Sequence, residues 1–402
     1  MILTSTENQK DLPRYFKSVF RIAQSLETGR LDIKLADGRV FRTTGNQPGP
    51  AALIEIHNDD CFARLIREGD LGFSDAYLEG WWSTPDLQIF MDLILDRNEG
   101  VFDGFPGAGL VRAFEKFRHW LNGNSKRQAR KNISFHYDLG NKFYEKWLDE
   151  TMSYSSALFK NGQEPTEKAQ LRKYESMVDM MDVKPGDHVL EIGCGWGGFA
   201  EYAAKERGLK VTGLTISQEQ HDYAVARMKK LGLSEQVKIV MRDYRDETGT
   251  YDGIASIEMF EAVGEQYWPT YFKTIRDRLK PGATAALQII LISEHRFEAY
   301  RKGVDFIQKY IFPGGMLPSP GALNHQIEKA GLIRKNSVEF AKSYSQTLRR
   351  WHHNFNDKWE DINKMGFDDR FRNMWNFYLT SCASAFEHGN CDVTQIAISK
   401  PK

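Results

Sequence analysis

Hydrophobic and polar positions follow a repeating strand and helix pattern over the second half of the chain. From about residue 167, the apolar run "HVLEIG" leads to a helix from Gly197, and "KVTGLT" leads to "SQEQHDYAVARMKKLG". "YDGIASIE" then precedes a helix near 266–279, and "ATAALQIILI" follows as a buried strand. Helices that separate apolar strands predict a parallel sheet covered on both faces. The pattern therefore predicts an α/β fold.

The two ends of the chain add smaller elements. Residues 1 to about 110 are typical of a small α/β unit: "LDIKLADGRVFRTT" alternates around Asp37 and Gly38, which predicts a hairpin. "DLQIFMDLILDRN" has helical spacing. After "GLIRKNSVEF", two Trp-rich helical stretches are predicted at about 345–362 and 367–386, and "DVTQIAIS" is a last strand.

Composition narrows the class of protein. The 402 residues are 41% hydrophobic, and Lys+Arg and Asp+Glu both total 54, so net charge gives no argument for a nucleic-acid partner. The four cysteines are scattered without a CxxC pair, which suits a reducing cytoplasm and argues against a disulfide framework or a zinc site.

No His, Cys and Asp cluster has metal-ligand spacing, so no metal is expected. The first residues lack the order of a signal peptide, and the longest apolar run is too short to span a bilayer.

Residues 116–132, "KFRHWLNGNSKRQARKN", form a basic stretch without a carboxylate. One interpretation is a solvated linker. The other is a surface for anionic lipid head groups, with Phe117 and Trp120 reaching into the interface.

A glycine-rich turn, "VLEIGCGWGGFA", joins one predicted strand to a helix, with Gly193, Gly195 and Gly198 at dinucleotide-binding spacing. A dinucleotide site needs an acidic residue about 20 positions on to hold the ribose. The next strand instead ends in "TISQEQ", where neutral Thr215 and Gln220 stand. Glycines that merely allow tight packing are one alternative. The other is a nucleoside without phosphates, and S-adenosylmethionine fits.

Eight stretches then resemble cyclopropane fatty acid synthases and mycolic acid cyclopropane synthases, in matching order from about residue 133 onward. They are "HYDLGNKFY", "MSYSSALF", "VLEIGCGWGGFA", "GLTISQEQ", "DYRD", "SIEMFEAVG", "KYIFPGGMLPS" and "YSQTLRRW". The resemblance implies a class I (Rossmann-like) methyltransferase fold: a mixed seven-stranded sheet with helices on both faces, plus a smaller N-terminal α/β domain. The N-terminal third resembles the extra domain of the bacterial phospholipid-acting members more loosely.

The predicted domain organisation has three parts. Residues 1–115 are an N-terminal lipid-docking or dimerisation domain, and 116–132 are the basic linker. Residues 133–402 are the S-adenosylmethionine-dependent methyltransferase domain, with a helical acyl-chain insertion at about 341–390.

The resemblance also implies which residues contact the cofactor. Tyr154 and Ser155 would contact its methionine end, and Gly193 and Gly195 would let the backbone approach it. Thr215 and Gln220 would hold the ribose, and Tyr244 would lie against the adenine. For Tyr154 and Tyr244 the alternative is an ordinary half-buried aromatic.

The family methylates an isolated double bond inside a lipid acyl chain. An alkene has no acidic proton, so its π electrons attack the sulfonium methyl directly and leave a carbocation. The protein must align the reactants, stabilise positive charge and take up one proton. The resemblance implies that Tyr137 faces the cation. It also implies a bound bicarbonate that removes the proton, held by a Glu, a Tyr, a Cys and a His.

Two of those four ligands match and two depart. Glu261 and Tyr344 match the Glu and the Tyr, whereas Ser156 stands at the Cys position and Gln288 at the His position. Ser and Gln can still hydrogen-bond an oxyanion, but neither transfers a proton as readily as His. The candidate catalytic residues are therefore Glu261, Tyr344, Tyr137, Gln288 and Ser156. Glu258 is either an extra acid or structural.

The sequence thus predicts a C-methyltransferase that forms a cyclopropane at a cis double bond in an unsaturated acyl chain of membrane phospholipid. Ring closure can also fail, which gives a methyl- or methylene-branched chain. A methyltransferase acting on a soluble small molecule and a non-catalytic lipid-binding module are further alternatives. The expected protein is cytoplasmic and associates reversibly with the inner face of the membrane, with a homodimer left open.

Overall fold

A computed structural model of the chain describes residues 2–96, 128 and 139–402. The described residues form two compact units. The first comprises residues 2–96 together with Lys302–Ile311 and Trp359–Asn390. The second comprises residues 139–301 together with Phe312–Lys358 and Cys391–Lys402.

The strands fall into two sheets. They are β1 (Ile2–Leu3), β2 (Thr28–Lys34), β3 (Val40–Thr44), β4 (Gln47–Ile56), β5 (Trp82–Ser83), β6 (His188–Ile192), β7 (Lys210–Thr215), β8 (Val237–Met241), β9 (Tyr251–Ile257), β10 (Leu279–Ile292), β11 (Ile333–Glu339) and β12 (Cys391–Ser399). The first five form the sheet of the first unit, in the order β1-β3-β2-β4-β5.

The described helices alternate with these strands. They are α1 (Phe16–Ala23), α2 (Asp60–Glu68), α3 (Asp70–Leu78), α4 (Leu87–Leu95), α5 (Asn141–Tyr144), α6 (Thr166–Met181), α7 (Gly198–Arg207), α8 (Gln218–Lys230), α9 (Trp268–Arg278), α10 (Glu294–Lys302), α11 (Phe306–Tyr310), α12 (Pro320–Lys329), α13 (Ala341–Asp357), α14 (Trp359–Asn363) and α15 (Asp369–Glu387). None of them is long and apolar enough to cross a membrane.

The second unit contains a mixed seven-stranded sheet in the order β11-β12-β10-β9-β6-β7-β8. Strands β10, β9, β6, β7 and β8 are parallel, and β12 runs antiparallel between β10 and β11. Alternate residues belong to different hydrophobic clusters: Val189 packs with α6 and α7, whereas its neighbour Leu190 packs with α9 and α12. Both side chains are fully buried, so both faces are covered. The predicted mixed seven-stranded sheet with helices on both faces is confirmed.

The first unit confirms the small α/β unit predicted for the N-terminal third. Strands β2 and β3 pair antiparallel around the turn at Asp37 and Gly38, as the alternation predicts. Gly38 adopts φ 88°, a conformation that favours glycine at such a turn.

The division into units differs from the predicted domain bounds at the C-terminal helices. The predicted helical insertion of the methyltransferase domain spans about 341–390, whereas Trp359–Asn390 belongs with the first unit. The physical reason is contact: the Phe377 ring of α15 lies 5.8 Å from that of Tyr77. Gln88 of α4 also donates a 2.6 Å hydrogen bond to the Ser384 hydroxyl. The lipid-docking and acyl-chain roles of these segments stay predictions.

Candidate active site

The glycine-rich turn lies between β6 and α7, at the carboxyl end of the parallel strands. Gly193, Gly195 and Gly197 have φ values of 81°, 50° and 85°, which favour glycine. The N–H groups of Gly193 and Cys194 donate to the Leu214 carbonyl at 3.0 and 2.9 Å, which ties the turn to β7. A Cβ on Gly193 would lie 2.8 Å from Met259 Cγ, whereas one on Gly195 would meet no described atom within 4 Å. Gly195 therefore presents backbone to open space.

The end of β7 carries the neutral groups that the sequence placed there. Thr215 Oγ1 donates to Gln220 Oε1 at 3.0 Å and accepts from the Ser217 N–H at 3.2 Å. Ser217 caps α8 by accepting from the Gln220 N–H at 3.3 Å. Thr215 and Gln220 thus form one neutral, buried network beside the glycine turn, which suits a ribose better than a phosphate.

Tyr244 begins a short 3-10 helix, Tyr244–Asp246, after β8. Its ring makes an edge contact with Tyr271 at 5.6 Å between centroids. Burial raises the pKa of the Tyr244 phenol, which stays protonated at neutral pH. The structure therefore places a neutral aromatic ring after β8, at the position where the resemblance implies the adenine.

Tyr154 belongs to a cluster of aromatic rings. Its centroid lies 5.5 Å from that of Tyr144, 5.7 Å from that of Trp147 and 5.3 Å from that of Trp351. We call these four residues the aromatic cluster. Tyr137, the predicted partner of the carbocation, lies outside the described residues.

Three of the predicted catalytic residues converge on Glu258, at the end of β9. Its Oε1 accepts from the Ser156 N–H at 2.8 Å and from Gln288 Nε2 at 2.7 Å. Its Oε2 accepts from the Tyr344 hydroxyl at 2.6 Å. These four residues, called the Glu258 network below, come from positions far apart in the chain.

The predicted catalytic Glu261 lies outside this network. Its Oε1 accepts from the Ile290 N–H at 2.5 Å, and its buried Oε2 has no partner among the described residues. Burial raises the pKa of Glu261 to about 8, and the nearby Glu258 charge acts in the same direction. Ser156, Gln288 and Tyr344 thus hydrogen-bond to Glu258. The catalytic role of Glu261 stays a prediction.

Ser156 contributes its backbone and not its hydroxyl. The hydroxyl donates to the Ala157 carbonyl at 2.9 Å, so the N–H alone reaches Glu258. The side chain that was expected to bind an oxyanion is therefore engaged elsewhere.

Residues 124–396 match the family model for mycolic acid cyclopropane synthetase. The chain belongs to this family. It is 37% identical over 372 residues to a tuberculostearic acid methyltransferase of Mycobacterium tuberculosis, covering 88% of this chain and 84% of the relative. It is 34% identical over 358 residues to a cyclopropane-fatty-acyl-phospholipid synthase of Escherichia coli K12, covering 86% and 87%.

Solved structures agree with the sequence relatives. A mycolic acid cyclopropane synthase complexed with S-adenosylhomocysteine and CTAB is 26% identical with a TM-score of 0.62, covering 67% of this chain and 98% of that one. The protein is an S-adenosylmethionine-dependent methyltransferase that acts on lipids. The predicted family, fold and methyl donor are confirmed.

The methyltransferase also contains a buried cation that the sequence analysis missed. Lys173 of α6 is fully buried, and its Nζ donates to Ser155 Oγ at 2.7 Å and to Gln170 Oε1 at 2.6 Å. Burial lowers the pKa of Lys173 to about 8, while the charges of Glu258, Asp149 and Glu191 oppose that shift. Ser155 is thus held by Lys173, beside the network residue Ser156.

A buried carboxyl group bears on how the methyl donor fits. Glu191 of β6 is buried, and its Oε2 has no partner within the part of the chain that the structure describes. Burial raises the pKa of Glu191 to about 8, so it is mainly neutral at pH 7. A neutral carboxyl group near the glycine turn is compatible with the cationic sulfonium and amine of S-adenosylmethionine.

A second missed residue orients Gln288. Gln395 Nε2 donates to Gln288 Oε1 at 3.0 Å and to the Lys173 carbonyl at 3.2 Å. The missed signal was a polar residue in each of two apolar strands, "ALQIILI" and "DVTQIAIS". A buried amide inside a strand needs a partner, and here each supplies the other.

Proposed function

We propose that the methyltransferase acts on a cis double bond in an unsaturated acyl chain of membrane phospholipid, with a cyclopropane as the main product. One observation carries this proposal: the aromatic cluster adjoins the Glu258 network. The Trp351 ring contacts Tyr154 at 5.3 Å and Tyr344 at 6.3 Å, and the Tyr344 hydroxyl bonds Glu258. An aromatic wall beside one oriented carboxylate suits a cationic hydrocarbon intermediate.

The chemistry of an alkene explains why both parts are needed. Bound S-adenosylmethionine supplies an electrophilic methyl group. Gly193, Gly195, Thr215 and Gln220 would hold it at the edge of the sheet. Aromatic faces attract the positive charge that develops on the acyl chain, worth about 0.5–2 kcal/mol per contact. A nearby acceptor then has one proton to remove, from the new methyl group or from an adjacent carbon.

A methyl- or methylene-branched product is the second candidate. Gln288 stands where the resemblance places a proton-transferring His, and an amide cannot take that role. One relative, at 37% identity, is named a tuberculostearic acid methyltransferase. Both observations support loss of a proton from a neighbouring carbon as a competing outcome.

The acyl chain has to be reached from the membrane surface. The basic stretch 116–132 supports reversible docking to anionic lipids, with the N-terminal unit as a second contact. It lies outside the described residues, except for Gln128, so this part of the proposal rests on the sequence.

A turnover assay tests the function. Purified enzyme and S-adenosylmethionine are incubated with vesicles of phosphatidylethanolamine that carries cis-monounsaturated chains, and the acyl methyl esters are analysed by gas chromatography and mass spectrometry. We expect the chains to gain one CH₂, and matched vesicles with saturated chains to give none. Methylation of soluble acceptors, with the unsaturated lipid unchanged, would contradict the proposal.

A further inference from the structure

Glu258 has a strained backbone conformation, and this conformation sets the direction of its side chain. Glu258 has φ 50°, in the left-handed region, and its N–H donates to the Gln288 carbonyl at 2.8 Å. A non-glycine residue in that region costs about 1–3 kcal/mol. The surrounding hydrogen bonds hold the side chain in one place at this cost.

The Glu258 carboxyl group accepts all three of its side-chain hydrogen bonds and donates none of them. Two oxygens accept from the Ser156 N–H, the Gln288 amide and the Tyr344 hydroxyl. Donors to both oxygens favour the ionised form of a carboxyl group. Burial raises the pKa of Glu258 above its ordinary value, and these three hydrogen bonds and the Lys173 charge oppose part of that shift.

A comparison with the neighbouring Glu261 indicates which of the two carboxyl groups carries the negative charge. Glu261 has one backbone donor and an unpartnered Oε2 among the described residues, whereas Glu258 has three donors. Two adjacent carboxyls in a buried site do not both ionise readily. Glu258 therefore carries the negative charge, and Glu261 keeps its proton.

Glu258 is also the accessible member of its network. Ser156 and Gln288 are 0% exposed and Tyr344 is 5% exposed, whereas Glu258 is only half-buried. A carboxylate that three buried groups hold in place, in a residue that is itself partly exposed, is a built-in acceptor for a proton.

We propose that the Glu258 carboxylate is the base of the reaction and takes the place of an external bicarbonate. This inference rests on the proposed function. After methyl transfer the acyl chain carries a cation, and Glu258 accepts one proton from it. If the proton leaves the new methyl group, the electrons of that C–H bond form the last ring bond. If it leaves an adjacent carbon, they form a double bond. The proton then passes to solvent before the next turnover.

The Glu258 side chain can be removed without adding backbone strain. Glycine adopts φ 50° without strain, so Glu258→Gly should fold while opening the space of the carboxylate. Its three donors would then face an anion-sized gap. Glu258→Gln is the matched control, because it keeps the volume and removes the charge.

The first measurement is turnover with and without bicarbonate, in buffer freed of CO₂ by sparging with nitrogen. We expect the native rate to change less than about twofold when bicarbonate is removed. Glu258→Gln should lose about 10²–10⁴-fold, the range of a general base, and at least about tenfold more than Glu261→Gln. Added bicarbonate should restore activity to Glu258→Gly and not to Glu258→Gln. A native rate that falls about tenfold without bicarbonate, or full activity in Glu258→Gln, would overturn the proposal.

The second measurement does not depend on the lipid substrate. Calorimetric titration of bicarbonate into the enzyme loaded with S-adenosylhomocysteine should show binding to Glu258→Gly and none to the native protein. Glu235→Gln, an exposed carboxylate on the same unit, controls for loss of charge. Bicarbonate binding to the native enzyme would overturn the inference. Failure of turnover on unsaturated lipid, with this binding pattern intact, would instead contradict the proposed function.

Discussion

Gln395 Nε2 donates a 3.0 Å hydrogen bond to Oε1 of Gln288, its directly paired residue on the antiparallel strand. This contact fixes the orientation of the Gln288 amide, so that its Nε2 faces Glu258 at 2.7 Å. An amide that could turn would place an oxygen against the carboxylate. Gln395 is therefore a positioning residue that acts through Gln288.

Replacement of Gln395 by Met should test this positioning. Buried polar partners would be left unpaired, at a cost of about 1–3 kcal/mol in the free energy of unfolding. We expect kcat to fall while the affinity for S-adenosylhomocysteine stays unchanged, because the glycine turn is not involved. Turnover, calorimetry and urea unfolding measure the three quantities, with exposed Gln163→Met as control. Lower stability with an unchanged kcat would mean that Gln395 is structural only.

Gly195→Val should abolish cofactor binding. The native enzyme is expected to bind S-adenosylhomocysteine in the micromolar range, about −8 kcal/mol, and not to bind NAD. A Val side chain would occupy the space that Gly195 leaves open. Gly232→Val is the matched control, since Gly232 also has positive φ (72°) and would meet no described atom within 4 Å. If both variants lose binding equally in calorimetry, backbone strain and not access explains the result.

The Gln288→His change should alter the product ratio. We expect the native enzyme to yield some methyl- or methylene-branched chains beside cyclopropane, and a His beside Glu258 to raise the cyclopropane share. Ser156→Cys alone should leave the ratio unchanged, because Ser156 contacts Glu258 through its backbone N–H. The double variant should therefore match Gln288→His. Gas chromatography of acyl methyl esters separates the products, and identical ratios in all four proteins would remove Gln288 from control of the outcome.

The stability of the enzyme should fall as pH rises, partly through Glu261. Burial raises the pKa of Glu261 to about 8 in the folded protein, from an ordinary value of 4.5. Between these values the folded state binds more protons than the unfolded chain, so a higher pH favours unfolding. Glu261→Gln should flatten this dependence. Urea unfolding between about pH 5 and pH 8 measures it, with Glu235→Gln expected to keep the native slope.

Membrane docking should depend on the basic stretch. Changing Lys126, Arg127, Arg130 and Lys131 to Gln should weaken co-sedimentation with anionic vesicles and slow turnover on them. Native binding should also weaken as salt rises, because charges are screened within about 10 Å at 0.1 M salt. The control is a variant with the same change in charge on exposed residues of the second unit, Lys205, Lys210, Lys229 and Lys230. Unchanged vesicle binding in the first variant would contradict docking through this stretch.

The sequence by itself determined the fold and the class of cofactor. Alternating apolar strands and helices, the turn at Asp37 and Gly38 and the glycine-rich turn at Gly193 depend on nearest neighbours along the chain. Such local patterns fix strand direction and the edge where the carboxyl ends meet. Gly195, Thr215 and Gln220 could be placed there for that reason, whereas the position of Tyr244 came from the resemblance to the family.

Only the tertiary structure decided between Glu258 and Glu261. The two lie three positions apart in "IEMFE", and no local pattern tells which one meets Tyr344 or Gln288. The left-handed turn at Glu258 and the register between β9 and β10 aim that side chain at donors 30 and 86 residues away. The burial of Lys173 could not be predicted from local sequence for the same reason. Long-range packing sets these contacts, because each partner is supplied by a different element of the fold.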